Sequence, residues 1–387
     1  MPIDLEFLHP TDIYALRPCR NPDATDLIAI GGEHSVEVIL VSDTACRRIA
    51  CFHVGSRITT LAWSSKTTSP TSTEKWTLEL VAATSDFGLH LLTKSSTSSE
   101  YIFPFGGGLS GHHGRVNDMV FCGGWDEDSS RYVATVSDDK MLMVWDLHPV
   151  VDPTQGSRTP SPALELDISM SPPMSSRPQP TAYVIPFPHP LTTIRNHPAT
   201  SKEFIVADAR GSIFLVDWRS DPEEEASAAE LRHSSVIELV EPVKLAGEIM
   251  GGNRDAQGKW SACVDWRVDS MDVVGGVFGQ KFAIWDISKL RGGLPHITGP
   301  SFSEGGRIFR WCPTHPDYFA ISSQSPTKGA IVHVHNYSYV HAPPTVFTLR
   351  PKPHFVRDFD FLAAGNIPRL VIAVGRILIV FPIGEEP

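Results

Sequence analysis

The chain of 387 residues is 41% hydrophobic, enough to bury a large core without help from metals or disulfides. Its 33 Lys and Arg against 44 Asp and Glu give a formal charge of −11, which removes the general attraction for a phosphate backbone and argues against a direct nucleic-acid ligand. The six cysteines (Cys19, Cys46, Cys51, Cys122, Cys263, Cys312) form no C-x-x-C pair and several sit in apolar runs, so they read as small buried hydrophobes of a protein kept in a reducing compartment.

From the N-terminus, "MPIDLEFLHP" lacks a basic region followed by a long apolar run, so no secretory leader is expected. Beyond it, helical periodicity is scarce. Short β-branched runs bounded by Gly, Asp, Ser and Pro recur instead, the mark of many short antiparallel strands. Two kinds of segment alternate. One ends in an aromatic or its substitute: "ITTLAWS" to Trp63, "VNDMVF" to Phe121, "LTTIRNHP" at Asn196, "SACVDW" to Trp266, "GRIFRWCP" at Trp311 and "VRDFDF" to Phe361, with "DIYALRP" a weaker first member. The other is a strand, a tight turn and a second strand. It has seven members: "LIAIGGEHSVEVILV", "LELVAATSDFGLHLLT", "YVATVSDDKMLMVWDL", "FIVADARGSIFLVDW", "MDVVGGVFGQKFAIWDI", "YFAISSQSPTKGAIVHVHNY" and "RLVIAVGRILIVFPI". The last is too short to span a bilayer, is broken by Gly375-Arg376, and predicts no membrane insertion.

With a fourth apolar strand such as "RRIACF" or "EYIFPF", each unit has four strands, and units repeated around an axis make a β-propeller. The expected fold is all-β: one domain of seven blades, at about 10–50, 54–105, 109–148, 181–218, 234–288, 302–340 and 350–384. The last unit runs out without a fourth strand while "IDLEFL" stands unclaimed, so residues 1–9 are expected to complete it. Residues 64–75, 149–180 and 219–233 have the composition of flexible inserts.

The stretch from Gly111 to Leu147 carries the sharpest motif. Gly111-His112 is separated by 32 residues from Trp145-Asp146, and Asp139 falls six residues before the tryptophan. This resembles a WD40 repeat. The resemblance implies a buried hydrogen-bonded chain of Asp139, His112, Thr135 or Ser137, and Trp145. The chemistry supports it: an indole N–H only donates, a hydroxyl accepts and donates onward, and a histidine accepts and donates to a carboxylate. The same residues also fit a hydrolase built on His112, Ser137 and Asp139, the less favoured reading of the cluster. Other units depart from the pattern, with Gly279 at the turn before Trp285-Asp286, Leu92 after Asp86, and Arg210 before Val216-Asp217.

The order of units, from "LIAIGGEHSVEVILV" through "RITTLAW", the strong third repeat, "VGGVFGQKFAIWDISK" and "GRIFRWCPTHPDYFAIS", is similar to the small WD-repeat nucleoporins of the Y-shaped complex in the nuclear pore. That resemblance implies a non-catalytic scaffold at the nuclear envelope. Its partner would be the large nucleoporin made of a propeller and an α-solenoid, with no cofactor, metal or small-molecule substrate. A WD-repeat adaptor such as a ubiquitin-ligase substrate receptor is the alternative. Such receptors tend to carry Arg two residues after Trp-Asp, where His148 and Ser288 stand here.

The remaining motifs have plain readings. "GGGLSG" (Gly106 to Gly111) matches G-x-G-x-x-G but precedes a strand, whereas a dinucleotide site needs a helix N-terminus. His333 and His335 share a strand face without a third metal ligand in sight. The acidic run Asp221 to Glu225 reads as a solvated loop, and Ser69, Thr159, Ser161 and Ser171 each precede proline as candidate phosphorylation sites. Propeller partners commonly dock on the loops at one end of the inner strands, which here nominates Arg57, Phe87, His113, Arg115, Lys140, Arg210 and Phe278.

Overall fold

The computed structural model describes residues 5–149, 177–220, 233–240, 262–289, 293–323, 326–364 and 367–383. They form seven four-stranded antiparallel sheets. The first strands of successive sheets pack against one another around a closed ring, so each is the inner strand of its blade.

Blade one is Ala15–Pro18, Leu27–Gly31, Ser35–Val41 and Cys46–His53. Blade two is Ile58–Trp63, Thr77–Thr84, Leu89–Ser95 and Ser98–Phe105. Blade three is Val116–Phe121, Tyr132–Ser137, Met141–Asp146 and Thr181–Pro186. Blade four is Leu191–Asn196, Glu203–Asp208, Ile213–Ser220 and His233–Val240. Blade five is Ala262–Trp266, Val273–Phe278, Lys281–Asp286 and Ile297–Pro300. Blade six is Gly306–Trp311, Tyr318–Ser323, Ala330–Asn336 and Thr345–Arg350. Blade seven is Asp358–Leu362, Arg369–Val374, Ile377–Pro382 and the N-terminal Leu5–Leu8.

Each second strand lies between the faces of two neighbouring blades, which explains why segments such as "LIAIG" are apolar on both sides and wholly buried. The core is a set of interblade clusters. One joins Phe282, Phe309, Phe319 and Phe359 of blades five to seven. Another joins Leu16, Ile28 and Ile39 of blade one to Leu5, Val371 and Val380 of blade seven. Ring closure therefore has both a backbone and an apolar component. Leu5 pairs with Val380 and Leu8 with Ile377, the His9 N–H donates to the Arg376 carbonyl at 2.8 Å, and Leu5 is buried in the seam.

The blade limits differ from the sequence expectation in one systematic way. Thr181–Pro186 closes blade three instead of opening blade four, and His233–Val240 closes blade four instead of opening blade five. Blades five and six likewise extend to Ile297–Pro300 and Thr345–Arg350, beyond the expected ends at 288 and 340. These fourth strands lie on the rim and are largely exposed, so they need no continuous apolar run and leave a weak trace in sequence.

The Ser/Thr-rich segment 64–75 also departs from expectation, because it is tied down. Thr67 Oγ donates to the Glu79 carbonyl (2.8 Å), Asn21 Nδ2 donates to the Ser64 carbonyl (2.8 Å), and the Ser69 N–H donates to the Asp23 carbonyl (2.7 Å). Side-chain hydroxyls here replace the ladder that a strand would provide. Ser69 is 0% exposed and donates to Asp26, so a phosphate there would face a carboxylate, and the structure contradicts the expected modification at this residue. Thr159, Ser161, Ser171, the acidic run and most of the other two inserts lie outside the described residues.

Candidate functional site

The cluster of blade three is a linear relay of hydrogen bonds. Trp145 Nε1–H donates to Thr135 Oγ (3.0 Å), Thr135 Oγ lies 2.7 Å from His112 Nε2, and His112 Nδ1 lies 2.9 Å from Asp139 Oδ2. With the ring proton on Nδ1 every contact has one donor and one acceptor. Asp139 further accepts the N–H groups of His113 and Met141, which fixes the hairpin turn. Thr135, not Ser137, is the hydroxyl in the relay. Ser137 Oγ accepts the Asp139 N–H at 3.2 Å, and both ring nitrogens of His112 are engaged elsewhere. His112 is 3% exposed and Ser137 fully buried, so the arrangement offers no nucleophile to solvent.

Burial opposes ionisation of Asp139, yet the bonds from His112 and the backbone hold its carboxyl down at about 2. A carboxyl depressed in the folded state stabilises that state above the unfolded pKa of about 4 and ceases to do so as pH falls through its folded value. The expected result is a fall in the denaturation midpoint between about pH 4 and pH 2, with a shallower fall in Asp139→Asn. Parallel pH titrations of chemical unfolding check this.

A second cluster, not anticipated from sequence, fills the central channel. Arg17 reaches Asp118 at 2.6 Å and Asp358 at 3.5 Å. Arg195 binds Asp118 and lies 3.3 Å from Asp265, while Arg20 and Arg310 approach Asp360 at 3.1 and 3.8 Å. The carboxylates also staple three pairs of neighbouring blades together. Asp118 of blade three accepts the Ile194 N–H of blade four, Asp265 of blade five that of Trp311 in blade six, and Asp358 of blade seven that of Leu16 in blade one. Burial raises the carboxyl of Asp118, but Arg195 and Arg17 outweigh it and hold the group below the usual carboxylate range. A signal was present: the inner strands "ALRP", "VNDMVF", "LTTIRN", "ACVDW", "GRIFRW" and "DFDFL" each carry a charge inside an otherwise buried segment.

The channel opens at two mouths. Where the inner strands begin and the hairpins turn, Arg57, His113, Arg115, Lys140 and Arg210 are exposed and Phe87 is partly so. Phe87 and Lys140 occupy the left-handed region at φ 70°, the tight bend each turn requires. Phe278 is a correction: it is 3% exposed, packs edge-on to Trp285 at 5.5 Å, and belongs to the core. His333 and His335 are likewise packing groups, stacked on Phe302 and Phe319.

At the opposite mouth lies a cavity of about 420 Å³ lined by Trp63, Met119, Arg195, Trp266 and Val268, with Trp125 at its edge. Trp125 is 83% exposed on a fixed loop. A Cβ on Gly123 would lie 1.8 Å from the His197 carbonyl, Gly124 has φ +75°, and Ser201 Oγ binds Asp126 at 2.8 Å. Two glycines thus allow close docking on blade four, and the next side chain is held outward.

No protein-family model matches the chain, and no curated protein sequence matches it. Among solved structures, 967 chains match in fold. One is the crystal structure of Chaetomium thermophilum Raptor, a WD40 protein, at a TM-score of 0.60 and 14% identity, covering 99% of this chain and 29% of that one. The chain thus spans less than a third of Raptor's length. At this identity the likeness concerns the fold alone, and a fold shared so widely does not specify an activity.

Proposed function

We propose that this propeller is a protein-interaction scaffold, and that it serves as a structural subunit of the nuclear pore outer ring, at the nuclear envelope, bound to the large propeller-and-solenoid subunit of the Y-shaped complex. Propellers of the WD40 type generally mediate protein–protein interaction. The observation that carries the scaffold reading is Trp125, a large aromatic held exposed on a fixed loop beside a concave, partly apolar cavity. A rigid aromatic at such a site is the kind of residue that concentrates binding energy in protein interfaces. The nucleoporin reading rests on the order of units along the chain, from the weak first blade through the strong third repeat to "GRIFRWCPTHPDYFAIS".

Affinity purification of the tagged protein from nuclei tests both levels. Recovery of outer-ring nucleoporins in stoichiometric amounts is the expected result, with Trp125→Ala lowering it at least tenfold, on the order of a hot-spot truncation. Recovery of a ubiquitin-ligase or chromatin complex in their place would end the nucleoporin reading. Undiminished recovery with Trp125→Ala would remove this mouth as the docking surface.

A further inference from the structure

The charges of the central channel are matched deep inside and only partly matched at the mouth away from Trp125. Four arginines stand at the starts of inner strands and therefore converge there: Arg57 before Ile58–Trp63, Arg115 before Val116–Phe121, Arg307 at the second position of Gly306–Trp311, and Arg357 before Asp358–Leu362. Their surroundings differ. Arg357 reaches Asp12 at 3.2 Å, and Arg57 lies over the Tyr14 ring at 5.2 Å. Among the described residues, the side chains of Arg115 and Arg307 have no carboxylate within ion-pair distance.

Arg307 occupies a telling position. The inner strands of blades two, three, four and six all shift register near their starts. In blades three and four the bulged residue ties its blade to the next, Asn117 Nδ2 donating to the Leu191 carbonyl and Thr192 Oγ to the Ala262 carbonyl, both at 2.8 Å. The shift in blade six spans Arg307 and Ile308. Ile308 is buried, while Arg307 is partly exposed, placing a cation where the sister blades have a neutral amide or hydroxyl. Burial lowers its pKa, and Arg115 and Arg357 add to that effect against the opposing pull of Asp358. A partly desolvated guanidinium with two further arginines near it, and Asp358 beyond ion-pair distance, is a place where an anion is stabilised.

We infer that this mouth binds a short carboxylate-rich segment of a partner protein, with Arg307 at the floor of the site and Arg115 and Arg57 at its edge. A formal charge of −11 makes the rest of the molecule a poor surface for an extended polyanion such as nucleic acid, whereas a short acidic peptide needs only the mouth. The site goes beyond the scaffold role and does not depend on which assembly the propeller serves.

The test is fluorescence anisotropy of the full chain with a labelled octaglutamate peptide at low salt, with octaglutamine and an oligothymidylate of equal charge as comparison probes. Saturable binding of octaglutamate alone is expected, weakening as salt rises. Arg307→Gln should weaken it about tenfold, the scale of one lost charge-assisted hydrogen bond. Arg115→Gln, on an exposed loop where folding is not at stake, should weaken it in the same direction. Arg47→Gln, removing an equal charge from the outer strand of blade one, should leave it unchanged. Absence of saturable octaglutamate binding, equal losses in Arg47→Gln and Arg307→Gln, no loss in Arg115→Gln, or tighter binding of the oligothymidylate would each overturn the assignment.

Discussion

Asp118→Ala is expected to lower the stability of the propeller by about 3–5 kcal/mol, the usual cost of removing one partner from a buried ion pair. The carboxylate is 4% exposed and receives Arg17 from blade one, Arg195 from blade four and the N–H groups of Ile194 and Met119. Its loss leaves two guanidinium groups facing each other across the channel and two inner-strand amides without acceptors. Asp118→Asn keeps an oxygen for the amides and should cost less than the alanine. Combining Asp118→Leu with Arg195→Met should recover part of the loss, because an apolar pair carries no unpaired charge. Urea unfolding midpoints for the four proteins check the order; a midpoint for Asp118→Ala equal to that of the parent would mean that the channel network contributes nothing to closure.

The same network explains what could and could not be read in advance. Inner and hairpin strands declare themselves because both faces are covered and the side chains must be apolar, as in "LIAIG" or "YVATVS". Rim strands such as "ITGP" cover only one face, so composition does not separate them from loops, and the sequence pattern ends blades three to six short of their fourth strands. The N-terminal latch is legible because "IDLEFL" has no other strand to pair with, and Leu5–Leu8 within it pairs with residues 377–380. The ion network was hidden for a different reason. Arg17, Asp118, Arg195, Asp265, Arg310, Asp358 and Asp360 are spread over more than 340 residues, and only the closed ring makes them neighbours. Trp125 carries no signal in sequence, because one aromatic in a Gly/Asp loop says nothing about exposure until Gly123 is seen against His197.

The relay of blade three supplies the second large effect, and it distinguishes two hydroxyls that the sequence left equivalent. Thr135→Val keeps the shape of the side chain and removes the oxygen that accepts from Trp145 and meets His112. An indole N–H and a ring nitrogen are then buried without partners, at about 1–3 kcal/mol for each group, so a loss of about 2–4 kcal/mol is expected. Ser137→Ala removes one acceptor of the Asp139 N–H at 3.2 Å and should cost about 1 kcal/mol. His112→Ala and Asp139→Ala should also destabilise, and less than additively when combined, because removing either end already breaks the chain. Unfolding midpoints for the single and double variants decide the matter. Equal costs for Thr135→Val and Ser137→Ala, or additivity of His112→Ala and Asp139→Ala, would mean that the cluster is held by packing alone, leaving its histidine and carboxylate without the structural role that the geometry gives them.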